Sequence, residues 1–208
     1  RLARIRLRGS APEALLTPDG TGIYVLLRDE AVKDAPWRLA VIDTRENTVV
    51  KDQPLRAQVP GHMVLSSDNR WVYVLDFGNN KGDAADGVLH VLDASSGDRL
   101  ATLPVGAQPT RMAINHETGS VYVGARASRE AKTGFVLGIR GRETFGRLDL
   151  ADRPSSVRRS ADGKSLFVVG ERSVSLVDME LKQERSFSIK LRQAVSMDGR
   201  RAAVASWR

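Results

Sequence analysis

Cysteine is absent from the 208 residues, which excludes disulfides, thiolate metal sites and a cysteine nucleophile but does not identify a compartment. Histidine occurs three times, at His62, His90 and His116, at three unlike points of the pattern described below. Nothing in that spacing brings two imidazoles to one metal ion. Aromatic residues make up 5% and do not interleave with the basic clusters, as a nucleic-acid stacking surface requires. No apolar run approaches the roughly 18 residues that span a membrane, and no segment carries a helical period. A Gly-x-Ser-x-Gly elbow, a phosphate loop and a paired-carboxylate pattern are also missing. No catalytic residue, resident metal or cofactor is therefore assigned.

What the chain does have is a globular composition, with 41% hydrophobic and 27% charged residues. Its net charge of +7 is unevenly spread. Residues 51–100 hold 5 basic and 7 acidic side chains, whereas residues 151–208 hold 12 and 7. Basic clusters such as Arg1, Arg4, Arg6 and Arg8, or Arg158 and Arg159, would attract anionic surfaces. They fall in expected strands without a nucleic-acid module, so nucleic acid is not the expected partner.

The strongest signal is a repeat. Leu103 to Val123 runs through Pro109, an apolar Met112-Ala113-Ile114, a His116-Glu117-Thr118-Gly119 turn and Val121-Tyr122-Val123. The same order occurs at Leu7 to Val25, at Val59 to Val74 and from Pro154 to Val168, with a frayed fifth copy from Ile189. Tyr24, Tyr73 and Tyr122 are 49 residues apart, and Phe167 follows 45 residues later. A fixed period of this length without helical patterning means a propeller or a solenoid.

Each copy reads as four short strands. In the first, strand A ends near Leu16, Pro18-Asp19-Gly20 makes a tight turn, and Gly22 to Leu27 is apolar throughout, as a strand covered on both faces must be. Arg38 to Asp43 and a strand from Thr48 complete the unit. Four hairpin-linked antiparallel strands per unit is the blade of a β-propeller, so the expected fold is all-β. The blades are placed at about 8–58, 59–104, 105–150 and 151–189, within a single propeller region. A partial blade follows at 190–208, with 1–7 as an outer strand. The sequence opens on Arg1 rather than Met and holds about four and a quarter periods. It is therefore expected to belong to a longer chain, or to have its ring completed by a second copy or another chain, and a removed leader stays open.

The prolines Pro12, Pro109 and Pro154, the Asp-Gly turns, and Tyr24-Val25, Tyr73-Val74, Tyr122-Val123 and Phe167-Val168 carry a family resemblance. On these residues nearly the whole chain resembles the YVTN-type β-propeller repeats of bacterial and archaeal surface and secreted proteins. It departs from them where Thr-Asn should follow Tyr-Val, with Leu26-Leu27, Leu75-Asp76 and Gly124-Ala125 instead. The Gly-His and Trp-Asp signature of WD40 repeats is missing. The resemblance implies a seven-bladed ring, periplasmic or secreted location, and a binding rather than catalytic role. Some similar propellers are lactonases or subunits of periplasmic amine-oxidising enzymes, but no catalytic motif carries over residue by residue.

Candidate site residues come from an asymmetry between blades. The connections from the second to the third strand are long and charged in blades one to three and short in blade four, Gly170-Glu171-Arg172. Loops on a rigid scaffold are where binding residues concentrate. The expected partner-binding set is Arg28, Asp29, Glu30, Lys33 and Trp37, then Asp76, Asn79, Asn80, Asp83 and Asp86, then Arg126, Arg129, Glu130 and Lys132. The oxygen-rich stretch 76–87 also offers Asp76, Asp83 and Asp86 as calcium ligands, although it lacks the spacing of an EF-hand. Asp43, Asp93 and Asp178 recur at one point of the repeat, as turn caps do. The function read from these features is a non-catalytic scaffold for protein recognition. The alternative is a lactonase-like hydrolase or a redox-complex subunit with its site on the propeller axis.

Overall fold

The computed structural model describes residues 4–78, 86–182 and 184–188, and of Asp86 and residues 193–197 and 202–206 the backbone alone. The strands are β1 Ser10–Leu16, β2 Gly22–Arg28, β3 Trp37–Asp43, β4 Thr48–Leu55, β5 Pro60–Leu65, β6 Trp71–Asp76, β7 Asp86–Asp93, β8 Arg99–Ala107 and β9 Ala113–Asn115. They continue as β10 Ser120–Arg126, β11 Gly134–Arg140, β12 Glu143–Leu150, β13 Pro154–Arg159, β14 Ser165–Gly170, β15 Ser173–Asp178, β16 Glu184–Ser188, β17 Gln193–Met197 and β18 Ala202–Ser206. Every regular element among the described residues is a strand. Among the described residues no helix is long and apolar enough to cross a membrane.

Two compact units divide the chain between Thr102 and Leu103, inside β8. The first holds the sheet β1-β2-β3-β4 and then β5, β6 and β7 with the start of β8. The second holds β9-β10-β11-β12, the sheet β13-β14-β15-β16 and the pair β17-β18, and the end of β8 adds one bridge, Ala107 to Arg126. The ladders with a given register are antiparallel and, apart from that bridge, join chain neighbours, which is the topology of propeller blades.

A shared side-chain device closes the first turn of three sheets. The hydroxyls of Thr17, Ser66 and Ser160 each donate to the aspartate two residues on, Asp19, Asp68 or Asp162, at 2.6 Å. Each also accepts the amide five residues on, from Gly22, Trp71 or Ser165. The turn position after the aspartate has positive φ, and Gly20, Asn69 and Gly163 supply residues that tolerate it. The turns between third and fourth strands are capped by aspartate. Asp43 accepts the amides of Arg45 and Glu46, Asp93 those of Ser95 and Ser96, and Asp178 those of Glu180 and Lys182.

The second strands are buried on both faces. Tyr24, Val25, Leu26 and Leu27 are all inside, as are Val72 to Leu75 and Val121 to Val123. In the first unit Tyr24, Leu26 and Leu39 pack with Met63, Leu65, Val72 and Val74 between the two sheets. In the second, Tyr122, Val136 and Leu150 pack with Val157, Leu166, Val168 and Val177. Each of these side chains contributes about 1.5–3 kcal/mol by leaving water. Two tyrosines add a directional tie. Tyr24 Oη donates to Ala94 O at 2.6 Å, and Tyr122 Oη donates to Met179 O at 2.8 Å. Both acceptors follow the capping aspartate of the neighbouring sheet, so each tyrosine fastens its own second strand to the next turn.

Residues 4–9 form no strand; Ile5 and Leu7 instead pack half-buried against Val25, Leu27, Ala40 and Ile42 of the first sheet. An apolar-arginine alternation places two aliphatics on an apolar face whether or not the backbone is paired. The chain then turns at Gly9, φ 109°, where a Cβ would meet the Arg28 carbonyl.

Candidate partner-binding surface

In each unit one short segment, crossing from a fourth strand to the next first strand, holds the connections between second and third strands. In the first unit this is 56–59. Trp37 Nε1 at the start of β3 donates to Gln58 O at 3.0 Å. The Gln58 and Val59 amides donate to Asp76 at the end of β6, at 2.6 and 2.7 Å, and the Phe77 amide returns to Val59 O. Both connections of this unit therefore leave from one end of it.

Of the residues expected in the first connection, Arg28 and Trp37 are the ends of β2 and β3, with the Arg28 guanidinium 5.6 Å from the Trp37 ring centre. The connection proper is 29–36, folded on itself by the Asp29 side chain accepting the Ala31 amide. Glu30, Val32 and Lys33 are exposed at its tip.

Asp76, expected in the second connection, is engaged internally. It is 2% exposed and accepts three backbone amides, those of Gln58, Val59 and Gly78. Burial pushes its pKa up, but the neighbouring His90 side chain and the hydrogen bonds from these amides outweigh burial and hold it below the ordinary carboxylate value. With both oxygens engaged by backbone donors it acts as an internal clamp. A carboxylate at a strand end reads as loop in sequence because its donors lie 17 and 18 residues away. Asn79, Asn80 and Asp83 lie outside the described residues, as does the side chain of Asp86. Among the described residues no group of three or more metal-binding side chains converges.

The histidines are dispersed. His116 is exposed in its turn and His62 is half-buried. His90 is 2% exposed, with Nε2 3.5 Å from Asp76 Oδ2 and Nδ1 3.3 Å from Thr102 Oγ1. The Asp76 contact is too long for a good hydrogen bond, and Nε2 has no hydrogen-bond partner, so the contact is electrostatic.

In the second unit the crossing segment is 151–153. Arg126 ends β10, and its Nη1 donates to Arg129 O at 3.4 Å. Arg153 Nε donates to Ala131 O at 2.8 Å, so two arginines hold the connection 127–133 through its carbonyls. Both guanidiniums also reach Glu171 Oε1 in the fourth-sheet hairpin, at 3.5 and 3.4 Å. Asp152 secures that hairpin by accepting the Arg172 amide at 2.6 Å and the Ser173 hydroxyl at 3.1 Å. Burial raises the Asp152 pKa, but these bonds outweigh burial and bring it below its usual value. Glu130 and Lys132 are exposed and Arg129 is half-buried. Arg153, Asp152, Glu171 and Arg172 were not singled out from sequence. The recurring Pro60, Pro109 and Pro154 mark where each crossing ends, and the residue before them was the available signal.

Two shallow depressions lie elsewhere. One of about 460 Å³ in the second unit is lined by Asn115, Lys164, Asp178, Met179, Glu180 and Lys182. One of about 350 Å³ in the first unit runs beside Gln53, Arg56, Gly97 and Arg99, where Gln53 Nε2 donates to Gly97 O.

No family model and no curated protein matches the sequence. Solved structures do. Hydrazine synthase of Kuenenia stuttgartiensis superposes with a TM-score of 0.62 at 18% identity, over 98% of this chain and 58% of the other. A functionally unknown protein from Desulfotomaculum acetoxidans DSM 771 gives 0.66 at 16%, over 97% and 64%. The WD40 domain of Neurospora crassa Pan2 gives 0.62 at 14%, over 92% and 58%. The chain has the β-propeller fold. It spans 58 to 64% of the length of these three structures. An enzyme and a WD40 domain stand among them, so the fold by itself does not choose a function.

Proposed function

We propose that the chain is a non-catalytic β-propeller scaffold that recognises another protein through the connections between second and third strands. The observation that carries this reading is the fixing of these connections by the crossing segments. Gln58 and Val59 hold Trp37, where the connection 29–36 ends, and Asp76 and Phe77, where the next connection begins, while Arg153 and Asp152 anchor 127–133 and the 170–173 hairpin. Loops held in one shape lose less entropy when a partner binds, which is what a recognition surface needs. We further read the sequence as a YVTN-type propeller of an exported or envelope-associated bacterial protein, with residues 1–208 forming one propeller region of a larger, seven-bladed ring. The Tyr24 and Tyr122 hydroxyl ties support the resemblance by giving the Tyr-Val motif a structural task.

The test uses the chain as bait in extracts of the cells that make it, beside a variant whose 127–133 segment is replaced by a two-residue Asn-Gly turn. A discrete protein retained by the parent and lost by the variant, with unchanged circular dichroism and Tm, supports the reading. Equal retention by both contradicts it.

A further inference from the structure

We propose that the cluster around Arg126 and Arg153 in the second unit docks an acidic, extended segment of a protein partner. This rests on the reading of the connection end as a protein-recognition surface and specifies its chemistry. The segments 126–133, 151–153 and 170–173 carry Arg126, Arg129, Lys132, Arg153 and Arg172 against Glu130, Asp152 and Glu171. One of those three carboxylates, Asp152, is turned inward onto the Arg172 and Arg153 amides and the Ser173 hydroxyl.

The guanidiniums are poorly matched by what they have. A charge-assisted arginine-carboxylate bond is normally about 2.7–2.9 Å and often bidentate. Here two arginines share a single oxygen of Glu171 at 3.4 and 3.5 Å. Arg126 Nε is buried and has no hydrogen-bond partner at all. Glu171 is 49% exposed on its side chain, so it sits over the pair as a weak internal occupant rather than a buried one. An incoming carboxylate can take its place or complete the second fork, with Arg172, 68% exposed, beside it.

The same segments disfavour other anionic partners. They contain no aromatic residue to stack a base and no large aliphatic to enter a bilayer. A carboxylate-bearing peptide needs only the guanidinium forks.

The experiment measures binding of a fluorescein-labelled hexaglutamate peptide to the full chain by anisotropy, with single-stranded RNA and anionic phospholipid vesicles as competitors. Binding that weakens with salt is expected. Arg172→Gln should weaken it about two- to five-fold, the scale of an exposed charge pair. Glu171→Gln should strengthen it by a similar factor, because the internal competitor is removed, and this gain cannot come from damage to the fold. No saturable binding, an unchanged or weaker Glu171→Gln variant, or tighter binding of RNA or vesicles overturns the proposal. Protein capture that still depends on 127–133 while the peptide fails refutes only the acidic chemistry. Loss of that dependence refutes the recognition reading itself.

Discussion

Replacing Tyr122 by phenylalanine isolates the contribution of one hydroxyl to the joint between two blades. The ring is 1% exposed and meets Phe145 edge-on at 6.0 Å, an arrangement that phenylalanine keeps. What disappears is the 2.8 Å bond to Met179 O. A typical buried hydrogen bond contributes about 0.5–1.5 kcal/mol net, and an acceptor left without a donor costs about 1–3 kcal/mol. Met179 is half-buried, so water reaches its carbonyl in part and the lower end applies. The expected loss is about 1–2 kcal/mol, or about 2–8 °C in Tm for a chain of this size. Urea denaturation followed by tryptophan fluorescence gives the free energy and calorimetry the Tm. Tyr24→Phe, which removes a 2.6 Å bond to Ala94 O, should cost a similar amount. If both variants match the parent to within about 0.3 kcal/mol, the tyrosines are only space-filling and the account of the repeated Tyr-Val motif is wrong.

Asp76→Asn should cost about 2–3 kcal/mol, because three charge-assisted backbone bonds are weakened and an amide group faces amide donors. Faster hydrogen exchange at Gln58, Val59 and Gly78 would locate the effect, and unchanged exchange there would contradict the clamp. Gly134→Ala places a Cβ 2.6 Å from the Ala125 carbonyl and against the Pro154 ring, and the overpacking should cost about 1–3 kcal/mol by denaturant titration. The pH profile follows from the shifted groups. Asp76 and Asp152 titrate below their ordinary 3.8, so the stability they supply is complete above that value and is lost as pH falls through their folded values. Tyr24 and Tyr122 are raised above 10.0, chiefly by burial, so their contribution holds below pH 10 and is lost as pH rises through the folded values. Denaturation midpoints should show a plateau between these limits, and an acid-side loss as large in Asp76→Asn as in the parent would contradict the assignment.

Architecture was legible in the sequence because each blade repeats the same local chemistry. Asp19, Asp68 and Asp162 mark one turn and Asp43, Asp93 and Asp178 another, and both sets act through residues two to four positions away. The tyrosine period was legible too, but the hydroxyl's acceptor was not, since Ala94 and Met179 lie 70 and 57 residues away and any carbonyl would serve. The site was only partly legible. Long charged connections pointed to Lys33, Glu130 and Lys132, which are exposed. Composition could not separate them from Asp76, whose burial depends on a distant backbone. The brevity of Gly170-Glu171-Arg172 made that hairpin look plain, whereas Glu171 bridges Arg126 and Arg153 from 45 and 18 residues away.

The most direct test of the central claim compares partner capture by the parent chain with capture by the variant in which 127–133 becomes a two-residue turn, both confirmed as folded by circular dichroism and Tm. The account predicts a discrete protein partner held by the parent and lost by the variant. A partner held equally by both would contradict it.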